Sequence, residues 1–92
     1  MTAQERLTAL KVDLGIVTTA YDDWLAQYLT TAEQEVNREG VADDSTAAYN
    51  NLVIQYAAWM WRRRDSGEGM PRMLRFWLHN FKLDQLTEDT EG

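Results

Sequence analysis

The chain has no cysteine, which excludes disulfide frameworks, thiolate zinc sites and cysteine nucleophiles and leaves the redox compartment open. It has one histidine, His79, with no HExxH or paired carboxylate pattern around it, so neither a metal site nor a Ser-His-Asp arrangement is expected. One proline and five glycines in 92 residues suit a helical protein better than a turn-rich β one. No apolar stretch approaches the roughly 20 residues that a membrane helix needs. The opening residues, with Glu5 and Arg6, lack the apolar centre of a secretory signal, and none is expected. Basic residues are in deficit, 9 against 15 acidic, for a net charge of −6. A chain so acidic is a poor general ligand for nucleic acid, because affinity for phosphate scales with the cations presented.

What is present fits one globular domain and no more, with 45% hydrophobic and 26% charged residues. The charge is unevenly spread. Residues 1–61 hold three basic and nine acidic side chains, residues 62–82 six basic and two acidic, and residues 83–92 four acidic and none basic. One cationic segment therefore lies between an acidic body and an acidic end, and such a segment suits an acidic protein surface.

Four helices are predicted. The first spans about Ala3 to Leu14, capped by Thr2 with Glu5 in a capping box, striped by Ala3, Leu7, Leu10 and Leu14, and closed by Gly15 with Ile16 packing back. The second spans about Ala20 to Glu39, with Thr19 as cap, Asp22 and Asp23 favoured at its start, and Tyr21, Leu25, Tyr28, Leu29, Ala32 and Val36 on one face. Gly40 ends it, and Val41 makes the accompanying apolar contact. The third spans about Thr46 to Arg64, capped by Ser45. It carries Tyr49, Leu52, Val53, Tyr56 and Met60 on one side, and Ala47, Ile54, Ala58 and Trp61 on the other. The segment 65–69 (DSGEG) is a break, and Pro71 starts a fourth helix that reaches about Phe81, striped by Met70, Leu74, Trp77, Leu78 and Phe81. The expected fold is all-α: a small bundle of about four helices with short loops, the short first helix crossing it, over residues 1–83, followed by a flexible acidic tail over 84–92.

The same pattern yields the candidate functional residues. Arg62, Arg63 and Arg64 end the third helix, and Arg72 and Arg75 follow across the break. They form a candidate partner-binding segment, although three consecutive helical residues span about 200° and cannot make one flat face. The helix dipole alone also explains cations at that end. Ile54, Ala58 and Trp61 form the second apolar face of the third helix. With Phe76 on the far side of the fourth, they are candidate subunit-interface residues, since a helix apolar on two faces wants two partners. Trp24, Trp59 and Trp77 are expected in the core. The acidic pairs Asp22–Asp23 and Asp43–Asp44 stand at helix starts without EF-hand spacing, and no catalytic or cofactor motif accompanies them.

The segments ERLTALKVDLGI (5–16), AYDDWLAQYLTTAEQEVNREG (20–40) and above all YAAWMWRRRDSGEGMPRMLRFWLHN (56–80) resemble the small head–tail connector, or head-completion adaptor, proteins of tailed bacteriophages and prophages. The resemblance runs over roughly residues 5–81. Its most specific part is an aromatic helix ending in arginines, a glycine-containing break, then GMPRML and a last amphipathic helix. It implies a helical protomer, in the virion neck, that assembles as a ring under the portal protein and extends the DNA channel toward the tail. It further implies docking by a downstream head-completion or tail protein, passage of DNA without specific binding, and neither catalysis nor a cofactor. Read from the residues alone, a small helical nucleic-acid-binding regulator and an unrelated protein–protein adaptor remain as alternatives.

Overall fold

In a computed structural model of the chain, residues 1–67 and 69–91 are described, with side chains left aside at 65–66 and 87–91. Every regular element among them is a helix: α1 (Ala3–Leu14), α2 (Asp22–Arg38), α3 (Ala47–Ser66) and α4 (Arg72–Glu91). The all-α expectation holds, and the local signals explain most of the boundaries.

Thr2 accepts from the Glu5 amide at 3.1 Å while Glu5 Oε1 accepts from the Thr2 amide at 2.9 Å, which completes the expected capping box. The hydrogen bond from the Thr2 backbone, and next that from its side chain, hold the Glu5 carboxyl below its ordinary range. Gly15 adopts a left-handed conformation, φ 72°, and the Ile16 amide reaches back to Lys11 O at 2.9 Å. At the end of α2, Gly40 has φ 101° and Val41 is buried beside the last turn, its amide 3.3 Å from Val36 O.

Two caps differ from expectation. Tyr21, not Thr19, precedes α2, and it makes no side-chain cap. Thr46, not Ser45, caps α3, accepting from the Tyr49 amide at 3.1 Å. Asp43 and Asp44 cause the shift: their carboxylates accept from the Ser45 and Thr46 amides and fix the turn one residue later, with Ser45 at φ 62°. The hydrogen bond from the Thr46 side chain is the main reason that the Asp44 carboxyl lies below its ordinary range.

α4 extends ten residues past its expected end at Phe81 and reaches Glu91. No glycine or proline interrupts the sequence between Pro71 and Gly92, so nothing in the chain stops the helix where the apolar stripe ends. The expected flexible tail falls largely on residues 87–92, whose side chains lie outside the described residues, as does Glu68 of the expected break.

α1, α2 and α3 pack on one another, and α4 packs principally on α3. Partners along the chain give the directions. Arg6 meets Asn50 and Asp13 meets Arg62, so α1 runs parallel to α3 rather than across the bundle. Tyr49 meets Asn37 and Tyr28 meets Trp61, so α2 is antiparallel to α3. Tyr49 meets Phe81 and Trp59 meets Gly69, so α4 is antiparallel as well. α3 is the central element. It gives Tyr49, Val53 and Ala57 to the core with under 1% exposure, and α1 and α2 supply Leu10, Leu25, Ala32 and Val36.

Burial raises the Tyr49 phenol to about 12, with Glu33 adding to it, and the neutral hydroxyl donates to Asn37 Oδ1 at 2.8 Å. A folded value above the unfolded 10 favours the protonated form in the fold. The contribution is therefore complete below pH 10 and lost as pH rises through about 12. Thermal unfolding followed by circular dichroism should show stability declining over that window, and Tyr49→Phe should flatten the decline.

Candidate functional site: the helical surface around α3 and α4

The second apolar face of α3 is covered by the chain itself. Ile54, Ala58 and Trp61 are 5%, 0% and 7% exposed, so the expectation that they meet another subunit is overturned. α1 lies alongside that face. Trp61 is enclosed by edge-on contacts with Tyr21 (5.6 Å), Trp24 (6.3 Å) and Tyr28 (5.5 Å). Both apolar sides of α3 are thus satisfied within one chain, because the other three helices pack around it. Phe76, the fourth residue expected at an interface, is 59% exposed.

The tryptophans divide otherwise than expected. Trp59 is in the core and donates Nε1–H to Gly69 O at 3.1 Å, closing the α3–α4 turn. Trp24 is 58% exposed, stacked on Tyr21 at 6.3 Å with only 12° between the rings. Trp77 is 40% exposed. Both lie at the edges of their stripes, and their outer sides are left at the surface.

The arginines point in separate directions, as consecutive helical positions must. Arg62 bonds Asp13 Oδ2 at 3.2 Å and joins α3 to α1. Arg63 lies over the Trp59 ring at 4.4 Å and Arg64 over Trp61 at 3.7 Å, Arg64 also donating to Trp61 O. Arg72 and Arg75 are exposed on α4. The five do not form one surface. Arg63 and Arg64 line a groove with Tyr28, Met60 and Gly67, whereas Arg75 lines another with Glu39, Met70, His79 and Lys82.

α4 has three distinct sides. Leu74, Leu78 and Phe81 face α3. At 100° per residue, Met73, Phe76, Trp77 and Leu83 fall on one outer flank, and Arg72, Arg75, His79 and Lys82 on the other. The four apolar side chains are all exposed and together offer on the order of 400 Å2, with Asn80 and Asp84 on the same arc among them. Arg72, Arg75 and Lys82 make no ion pair among the described residues, whereas Arg6, Lys11, Arg38 and Arg62 each have a carboxylate partner. Four cations of the body are thus paired with carboxylates, whereas three cations without an ion pair among the described residues lie together on α4.

Helical periodicity alone did not reveal the exposure of Trp24 and Trp77. Position on the stripe does not separate them either, since Trp59 lies at the margin of its stripe, as Trp24 does, and is buried. Among the described residues no group of three or more histidine or acidic side chains could hold a metal, and no helix is long and apolar enough to cross a membrane. No protein-family model matches the chain, and neither a curated protein nor a solved structure does.

Proposed function

We propose that this protein is a structural assembly subunit: a head–tail connector of a tailed bacteriophage or prophage that forms a ring beneath the portal protein and extends the DNA channel toward the tail. The observation that carries the reading is α4. It is attached mainly to one helix and exposes Met73, Phe76, Trp77 and Leu83 on one flank. On the other it displays Arg72, Arg75 and Lys82, without ion pairs among the described residues. A helix so built is apolar enough to bury against a protein and charged enough to choose an acidic one. The pattern of residues 56–80 that resembles connector proteins supplies the particular partner. In this reading α4 docks on the portal or on the adjacent subunit, and the acidic body lets DNA pass without gripping it.

The test is incubation with candidate portal complexes followed by electron microscopy. Ring-shaped density under the portal is expected with the native chain. A triple variant, Arg72→Glu/Arg75→Glu/Phe76→Asp, should keep its helical circular dichroism and bind the portal at least tenfold more weakly. These positions are cleaner probes than Arg62, Arg63 and Arg64, which support the fold through Asp13, Trp59 and Trp61. Portal particles that recruit no chain, or salt-sensitive retention of the chain on DNA instead, would overturn the reading.

A further inference from the structure

We infer that the groove between α2 and α3, lined by Trp24, Gln27, Tyr28, Thr31, Met60 and Arg64, receives the acidic C-terminal end of α4 from a second copy of the chain. The inference rests on the assembly reading above and specifies one contact of it.

The groove combines two properties. It is a cleft of about 330 Å3 whose walls are an exposed indole, a half-buried phenol and a thioether. Its α3 rim is positive: Arg64 lies within it, and Arg63 lines the continuation toward Gly67. Apolar walls beside guanidinium groups suit a segment that alternates aliphatic and acidic residues. The end of this chain is such a segment. Residues 83–92, LDQLTEDTEG, carry Leu83 and Leu86 at helical i,i+3 spacing with Asp84, Glu88, Asp89 and Glu91, and no cation. Leu83 and Leu86 are 46% and 53% exposed.

The occupant must come from another copy. Gln85 exchanges two hydrogen bonds with the backbone of Ala42, at 2.8 and 2.7 Å, and fixes that part of α4 near the start of α3. The groove lies at Met60 and Arg64, near the other end of α3. Between the level of Tyr49, which meets Phe81, and that of Arg64 the helix rises roughly 22 Å at 1.5 Å per residue. Because α4 is antiparallel to α3, its C-terminal direction leads away from the groove of its own chain. Donor and acceptor thus sit at opposite ends of a molecule 46 Å long, and a contact between them is heterologous. Repetition either closes a ring or continues as a filament. The alternative, a two-fold pairing of α4 with α4 through Met73, Phe76 and Trp77, uses neither the groove nor residues 87–91, so changes at either would leave it intact.

A contact of about two helical turns is small and therefore weak, and closure of a ring would supply the remainder by linking many such contacts. The experiment is sedimentation of the full chain up to about 1 mM at low salt, with two variants. Gln27→Glu/Thr31→Glu places negative charge on exposed positions of the groove, and Glu88→Gln/Asp89→Asn/Glu91→Gln removes the charge of the C-terminal end. Self-association is expected for the native chain, weakening as salt rises toward 1 M, and at least tenfold weaker for each variant alone. An equimolar mixture of the two variants keeps one intact groove and one intact end, and should stop at a heterodimer. A native chain that stays monomeric throughout, or variants that associate as the native chain does, would overturn the contact. A chain that binds the portal yet associates identically in both variants overturns this contact and leaves the proposed function standing. One that associates through the groove and ignores every portal does the reverse.

Discussion

Trp61→Ala is expected to destabilise the isolated protomer by about 3–5 kcal/mol, the range for truncating a buried large aromatic. The indole is 7% exposed and holds Tyr21, Trp24 and Tyr28 in edge-on contact, with the Arg64 guanidinium 3.7 Å over its face. Alanine would leave a void at the meeting of α2 and α3 and remove the platform on which Tyr21 and Trp24 rest. A chain of this length has total stability of roughly 5–14 kcal/mol, so the loss would be a large share of it. The melting temperature should fall by at least about 12 °C in thermal denaturation followed by circular dichroism at low protein concentration. Had Trp61 been an interface residue, the same change would weaken assembly and leave the protomer's melting untouched. The measurement therefore separates the two roles directly.

Arg6→Met is expected to cost about 2 kcal/mol, most of it from one desolvated oxygen. Arg6 Nε donates to Asn50 Oδ1 at 2.8 Å, and its terminal nitrogen lies 3.1 Å from Glu33 Oε2. Asn50 is the one buried polar residue among those described, and its amide nitrogen donates to Thr46 O at 2.8 Å. This one guanidinium links α1, α2 and the first turn of α3. Methionine preserves the aliphatic stem but leaves Asn50 Oδ1 buried without its donor. Glu33 is about one-third exposed and contributes less, since water screens it. Replacing both partners, Arg6→Met/Asn50→Leu, should recover part of the loss, because no orphaned acceptor then remains. Urea unfolding of the two single variants and the double would give the coupling; additive losses would show that the pair acts as two independent residues.

Much of the chain's local order is legible in its sequence. Thr2 with Glu5, Gly15, and Gly40 with Val41 each act within a few residues, so their capping roles follow from sequence neighbours. The stripe Leu25, Leu29, Ala32 and Val36 repeats every three to four residues, and all four are buried. The cap at Ser45 is displaced because acidic neighbours compete for the same amides. Asp43 and Asp44 take the amides of Ser45 and Thr46, and propensity alone does not rank such rivals. The end of α4 lies beyond the apolar stripe because a stripe marks where a helix packs, whereas a breaker marks where it stops, and here the two do not coincide.

The residue pattern by itself determined four helices, their faces and the gathering of positive charge after Trp61, because periodicity, capping and composition are properties of short stretches of chain. It also established that α3 is apolar on two sides. Only the tertiary structure decided what covers those sides. Ile54, Ala58 and Trp61 are shielded by α1 and α2, while Phe76, Trp77 and Trp24 remain at the surface. A helical stripe records that a face prefers to leave water, but its partner is chosen by the packing of all four helices together. That packing depends on contacts such as Arg6 with Asn50, 44 residues apart, and Gln85 with Ala42, 43 apart, which no local window contains.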